Sequence, residues 1–282
     1  VTIVGGEPGK KPIDEVLAGR AQFGTSHSDV LLHRLKGQPL VALAAIFQHS
    51  PLTLVTKQDS GIRTLHDLIG RKIMVSSGAE ITAMLRAEGI DPNEVDIRES
   101  SYDIDELVKR ETNAVDAYLT NELYILKKLG IPYTIIKPST YGIDFYSDIL
   151  FTTEKQTRDY PKRVKRFREA SLRGWQYAMQ HPVEIISLIK TEYGSEKTVE
   201  HLRFEADAVR LLVDPSGIEI GHMNPGRWKH MADTFLNEGM IEPGYSLQGF
   251  VYDPKAPHNA IIFLGDKGYT PYEFYEDGKP VG

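Results

Sequence analysis

Through the first half of the chain, short apolar runs alternate with helix-like segments. Runs at 1–4, 21–24, 40–47, 52–56, 72–75, 95–98, 114–119 and 133–136 read as strands. Between them, 13–17, 29–35, 65–69, 81–87, 104–110 and 123–129 read as helices, and glycines at 19, 37, 70, 89 and 130 close most of them. Near-continuous apolar runs separated by helices predict buried, parallel strands in an α/β fold. From residue 158 the pattern turns helical. Over 160–179, Val164, Phe167, Ser171, Trp175, Ala178 and Met179 share one face, and His181-Pro182 breaks the helix. Helices follow at 185–189 and 199–213. Asn224-Pro225 reads as a cap and first turn, opening a helix whose stripe is Trp228, Met231, Ala232 and Phe235. Beyond Phe250, Asp253-Pro254-Lys255-Ala256-Pro257 reads as a linker and 261–264 as a fresh strand.

Length and composition narrow this picture. At 282 residues the chain exceeds a single small core and suits two lobes. It has no cysteine, which removes disulfides, thiolate metal sites and a cysteine nucleophile. The net charge is −6 and no basic run stands out, so a nucleic-acid partner is not expected. No apolar stretch approaches the roughly 20 residues that cross a bilayer. The opening strand-like run reads as a processed or trimmed start, so composition alone does not give the compartment.

Ligands in α/β sheets gather beyond the C-terminal ends of the strands, so chemistry is sought in those loops. Ser76-Ser77-Gly78-Ala79-Glu80 leads from a strand into a helix. Ser77 and Glu80 form a capping-box pattern there, and the backbone around Gly78 is also placed to hold a polar ligand edge. Asn121 and Glu122 are either a cap and a first-turn charge or an amide and a carboxylate that read a polar ring. Tyr141 and Tyr146 are placed to stack on such a ring with Asp144 beside them, whereas Phe145 reads as packing. Ser26 and His27 lie in a polar run that caps a helix or faces a ligand. Gln48 and His49 interrupt two apolar strands as a turn or as polar contacts. There is no nucleophile elbow, phosphate loop or H-E-x-x-H, and the nine histidines are scattered. No catalytic residue, metal or cofactor is expected.

These segments resemble the periplasmic substrate-binding proteins related to thiamine-pyrimidine biosynthesis enzymes, a group that includes sulfonate and formylaminopyrimidine binders. The likeness rests on Gly24-Thr25-Ser26-His27-Ser28, on 36–48, on Asp59-Ser60-Gly61-Ile62 with 67–72, and on Tyr118-Leu119-Thr120-Asn121-Glu122. Tyr141-Gly142-Ile143-Asp144-Phe145-Tyr146 and 172–178 complete it, and it covers residues 1 to about 250. It implies a two-lobe α/β periplasmic binding protein of type II, a Venus flytrap with parallel-rich sheets flanked by helices. Lobe one would comprise 1–56 and 149–250 and lobe two 57–148, with ligand in a cleft closed by a hinge.

The resemblance implies non-catalytic binding of a small polar or heteroaromatic molecule, similar to a thiamine-pyrimidine precursor, in a periplasmic or other extracytoplasmic setting. Expected contacts are Ser26, His27, Gln48, Ser77, Gly78, Glu80, Asn121, Glu122, Tyr141, Asp144 and Tyr146. The expected partner is an ABC permease or, because 221–228 resembles sensor-linked relatives, membrane-bound signalling domains. The competing class is a pyrimidine-synthase-like enzyme of the same fold, whose pattern includes a cysteine-rich motif that this chain lacks. Two departures stand out. Residues 1–4 correspond to the family's second strand, so the first strand is expected either upstream or in a place filled by 261–264. The stretch 260–282 resembles the opening of amino-acid-type periplasmic domains, so 251–282 is expected to hold a linker and the start of a second solute-binding domain.

Overall fold

A computed structural model describes residues 1–6, 9–76, 78–213 and 217–254, together with the backbone of two short paired strands at Phe274–Glu276 and Lys279–Val281. In chain order the main elements are α1 (Pro12–Leu17), β1 (Gly24–Ser26), α2 (Asp29–Leu35), β2 (Leu40–Phe47), β3 (Leu52–Lys57), β4 (Lys72–Val75), α3 (Gly78–Ala87), β5 (Asp96–Glu99) and α4 (Asp105–Val108). They continue with β6 (Ala114–Tyr118), α5 (Glu122–Lys128), β7 (Tyr133–Ile136), β8 (Ser147–Thr153), α6 (Glu154–Asp159), α7 (Pro161–Gln180), α8 (Pro182–Thr191), α9 (Val199–Val213) and α10 (Pro225–Asn237).

The strands build two sheets. A three-stranded sheet has the order β1-β8-β2 and is antiparallel throughout. A five-stranded sheet has the order β5-β4-β6-β3-β7, in which only the β4–β5 and β4–β6 pairs are parallel. The architecture is therefore mixed α/β rather than parallel-rich. The expected crossing near residue 57 also shifts. β3 pairs along its length with β6 and β7, so the chain passes between sheets at 48–51 and returns before β8.

All eight residues of β2 are buried because helices cover both of its faces. Leu40, Ala42 and Ala45 join the main core with α2 and α10, while Val41, Leu43, Ile46 and Phe47 pack on the side of α7 and α9. The register shift between Ala42 and Ala44 marks a bulge, which puts Leu43 and Ala44 on the same side. Near this bulge Gly221 bridges to Ala45 at φ 81°, and a Cβ there would lie 2.5 Å from Leu172. Only glycine combines that backbone angle with so close an approach. The expected apolar stripe of α10 is buried at Trp228, Met231, Ala232 and Phe235, and the Asn224 side chain caps the helix by accepting from the N–H groups of Gly226 and Arg227.

Further expectations differ from the structure. Residues 1–4 form no strand; Val1, Ile3 and Val4 are exposed, and an apolar run becomes a strand only beside a partner edge. The strand expected at 21–24 sits at Gly24–Ser26 instead. β8, the central strand of its sheet, lies in a stretch to which no strand was assigned. The helix expected at 104–110 is one turn, Asp105–Val108. The proposed strand at 261–264 lies outside the described residues.

Candidate functional site

Polar side chains from both sheets meet between them. β1 leads into His27 and Ser28, which precede α2. β6 ends on Tyr118, β8 opens with Ser147 and Asp148, and α3 carries Glu80. The Tyr118 hydroxyl lies 2.7 Å from His27 Nδ1 and 3.4 Å from Ser147 Oγ, and it donates to Asp148 Oδ1 at 3.5 Å. The His27 and Tyr118 rings meet edge-on, with centroids 5.6 Å apart. Burial pushes the Tyr118 phenol well above the usual range, and Asp148 beside it adds to the shift. Burial also raises the Asp148 carboxyl, while His27 opposes it. Asp148 adopts φ 44°, a strained backbone for a non-glycine residue.

Glu80 is the most unusual group here. It is 0 % exposed. Ser28 Oγ donates to its Oε1 at 3.2 Å, and Oε2 has no hydrogen-bond partner. Burial pushes the carboxyl up to about 8; Asp29 and Asp144 add to the rise, while the Ser50 and Ser28 hydroxyls favour the charged form. The Ser50 hydroxyl therefore also lies against this carboxyl. An isolated carboxylate at such a depth is costly, so holding the proton is the lower-energy state at neutral pH.

A second cluster lies at the N-terminus of α5. Glu122 Oε2 accepts the Tyr118 N–H at 2.7 Å, and its Oε1 accepts from Asn121 Nδ2 at 2.6 Å. Burial raises this carboxyl, and the Tyr118 N–H tempers the rise. Asn121 therefore makes no side-chain cap, and its Oδ1 is buried without a partner. Across from it, His201 of α9 stacks on Tyr124 of α5 with centroids 4.4 Å apart. The Tyr124 hydroxyl and His201 Nε2 are also buried and unpartnered. Glu122 and Asp116 line a small cavity of about 30 Å³ at the C-terminal edge of β4 and β6, with Met74, Tyr102, Asp103 and Val115.

The other expected contacts are distributed unevenly. Ser26 is half-buried at the end of β1, and Gly78 opens α3 with open space around it. Ser77 lies outside the described residues. Gln48 is buried and structural: its Nε2 donates to the carbonyls of Ala45 and His222, each at 3.0 Å. Tyr141 is half-buried against the main core. Asp144 pairs with His49 Nδ1 at 2.8 Å, and its carbonyl accepts from Arg227. Tyr146 is 0 % exposed, with Trp228 at 4.9 Å and the Arg227 guanidinium over its ring at 4.2 Å; its hydroxyl accepts the Asn224 N–H at 3.0 Å. That ring has core neighbours where a stacked ligand was expected. Phe145 packs edge-on against Phe235, as its packing reading anticipated.

Tyr118, Ser28, Ser147, Asp148 and His201 were not among the expected contacts. The signal available for Tyr118 was its place at the C-terminal edge of a buried strand that also carries Asp116. Among the described residues there is no cluster of three metal-ligating side chains and no helix long and apolar enough to cross a membrane.

Comparison with known proteins gives one family. A family model described as NMT1/THI5 like matches residues 1–185. A putative thiamine biosynthesis protein of Haemophilus influenzae is 25% identical over 250 residues, covering 84% of this chain and 76% of that protein. The riboflavin-binding protein RibY of Chloroflexus aurantiacus is 24% identical over 177 residues, 61% of this chain, and the match spans only half of that relative's length (50%). Among solved structures, the alkanesulfonate-binding protein SsuA from Xanthomonas axonopodis pv. citri, bound to MOPS, superposes with a TM-score of 0.64 at 12% identity, covering 83% of this chain and 81% of that one. At that identity the likeness concerns the fold, which is that of periplasmic binding proteins.

Proposed function

The chain belongs to the NMT1/THI5-like family, and from that membership we propose that it binds a small polar or heteroaromatic molecule between its two sheets without transforming it. The sheet holding β1, β2 and β8 with α7 to α10 is one lobe, and the sheet holding β3 to β7 is the other. Ligand enters between them, and the connections at 48–51 and 142–146 act as the hinge. The observation that carries this reading is the buried polar seam of His27, Ser28, Glu80, Tyr118, Ser147 and Asp148, drawn from both sheets. Polar groups at such depth suit an interface that exchanges its partners better than a permanent core. The setting is extracytoplasmic, and the partner that receives the ligand or the signal is an ABC permease or a membrane receptor. The names of the Haemophilus and Chloroflexus relatives support a heteroaromatic ligand of the thiamine-pyrimidine or flavin kind.

The test is a panel of aminopyrimidines, riboflavin and alkanesulfonates, read by melting temperature and small-angle X-ray scattering. A ligand at a hundred times its dissociation constant stabilises the native state by about 2.7 kcal/mol, an increase of several degrees in Tm. A panel that shifts neither melting nor radius of gyration would refute the reading. Tyr118→Phe removes the hydroxyl that bridges to His27. It should cost about 1 kcal/mol of stability and expand the protein in scattering profiles. An unchanged radius of gyration would show that this bridge does not hold the lobes.

A further inference from the structure

We propose that the outward face of α7 is a docking surface for an anionic phospholipid bilayer. This inference goes beyond the cleft reading and does not depend on it. Residues 154–173 carry eight basic and three acidic side chains, whereas the whole chain has a net charge of −6. Acidic and apolar positions interrupt the basic ones in sequence, and the helical period gathers them. α7 buries Val164 and Leu172, and Glu169 is its only acid. Lys162, Arg166 and Arg173 recur on the face opposite Val164, with Lys165 at its flank. These four cations are exposed, and among the described residues none of them has an ion pair or a hydrogen bond.

The neighbouring charges are already engaged. Lys155 and Arg158 pair with Asp159 at 3.2 and 3.0 Å, and the Arg163 guanidinium lies over the Tyr160 ring at 4.1 Å. Arg168 Nε donates to the Leu43 carbonyl at 2.7 Å, and Glu184 accepts from the Tyr177 hydroxyl at 2.9 Å. The four remaining cations have only solvent or an external anion to meet. They form a row about 16 Å long on the outside of a helix. Such a row meets a plane of phosphate groups without needing matched side chains. Exposed apolar groups stand at both ends of it, Tyr160 before α7 and Tyr177 and Val183 at its close. Aromatic and aliphatic groups beside cations suit the boundary between headgroups and acyl chains. That combination favours a bilayer over an acidic polypeptide, for which the cations alone would suffice.

Co-sedimentation of the full chain with vesicles tests this, comparing phosphatidylglycerol and phosphatidylcholine in equal parts with phosphatidylcholine alone. The anionic vesicles should bind at least about tenfold more tightly, and about 0.5 M salt should abolish the difference by shortening the screening length to a few Å. Lys162→Gln, Lys165→Gln, Arg166→Gln and Arg173→Gln combined should weaken binding at least about tenfold with an unchanged melting temperature. The control combines Lys36→Gln, Arg71→Gln, Lys127→Gln and Lys137→Gln, exposed cations elsewhere on the chain. It has the same net charge as the α7 variant and should weaken binding by less than about threefold. Should the α7 variant melt early, Arg166→Gln and Arg173→Gln made singly should each lower binding about threefold. Equal binding to both kinds of vesicle, or an equal loss in the two combined variants, overturns the inference. Displacement by glycerol phosphate at constant ionic strength also overturns it, because that would mark a site for single anions. Capture by polyglutamate without capture by vesicles would assign the face to an acidic protein and overturn it as well.

Discussion

At pH 9, and with no ligand added, Glu80→Gln should be markedly more stable than the wild type. Near pH 4.5 the two should be almost equal. Burial lifts the Glu80 carboxyl from 4.5 to about 8, so between those values the folded state holds a proton that the unfolded chain releases. Stability contributed by this group is present below pH 4.5 and is lost as pH rises towards 8. The full shift corresponds to roughly 5 kcal/mol, an upper figure because side-chain movement and entering water relax a buried charge. Glutamine carries no proton to lose and fills nearly the same volume. Its advantage at pH 9 should therefore reach several kcal/mol and raise Tm by about 10 °C. Urea titrations of both proteins across this range supply the measurement. Parallel stability curves would mean that the carboxyl is ionised and paired in the native state.

Trp228→Ala should be the most damaging single truncation in the seam's support. Its indole is 0 % exposed and lies against Tyr146 at 4.9 Å and Phe250 at 5.0 Å. Truncating a buried aromatic costs about 3–5 kcal/mol through lost contact and the cavity left behind. The damage should spread, because Tyr146 links α10 to the segment entering β8 through its hydroxyl on the Asn224 N–H. Tyr146→Phe removes only that bond, at about 1 kcal/mol. Near-UV circular dichroism and thermal melts separate the two cases. A melting loss for Trp228→Ala no greater than for Tyr146→Phe would contradict this packing role.

Trp228 also shows what local pattern conveys and what it does not. Its stripe, with Met231, Ala232 and Phe235, is legible because a helix buries one face at a fixed period. The apolar run of β2 is legible for a similar reason, since coverage on both sides leaves no polar position. β8 escaped notice because its polar, strained opening at Ser147 and Asp148 follows an aromatic loop, although Ile149, Leu150 and Phe151 offered a strand signal. Strand direction was misread because apolar runs suggest burial, and burial does not specify parallel pairing. At the site, Tyr146 looked like a stacking platform because what encloses it lies some eighty residues further on, in α10. Glu80 was legible as a residue of interest, but its depth was not. Local sequence gives a first-turn acid, whereas Ser28, Ser50 and Asp144 come over it from distant parts of the chain.

On the proposed cleft reading, the bonds between His27 and Tyr118 and between Ser28 and Glu80 would also govern timing. Both join one sheet's body to the other's, so a molecule would enter between the sheets only after they part. Association then has two regimes. At low concentration its observed rate rises linearly, and at high concentration it levels off at the rate of parting. That plateau belongs to the protein and not to the molecule captured, so chemically different ligands would share it while differing in how slowly they leave.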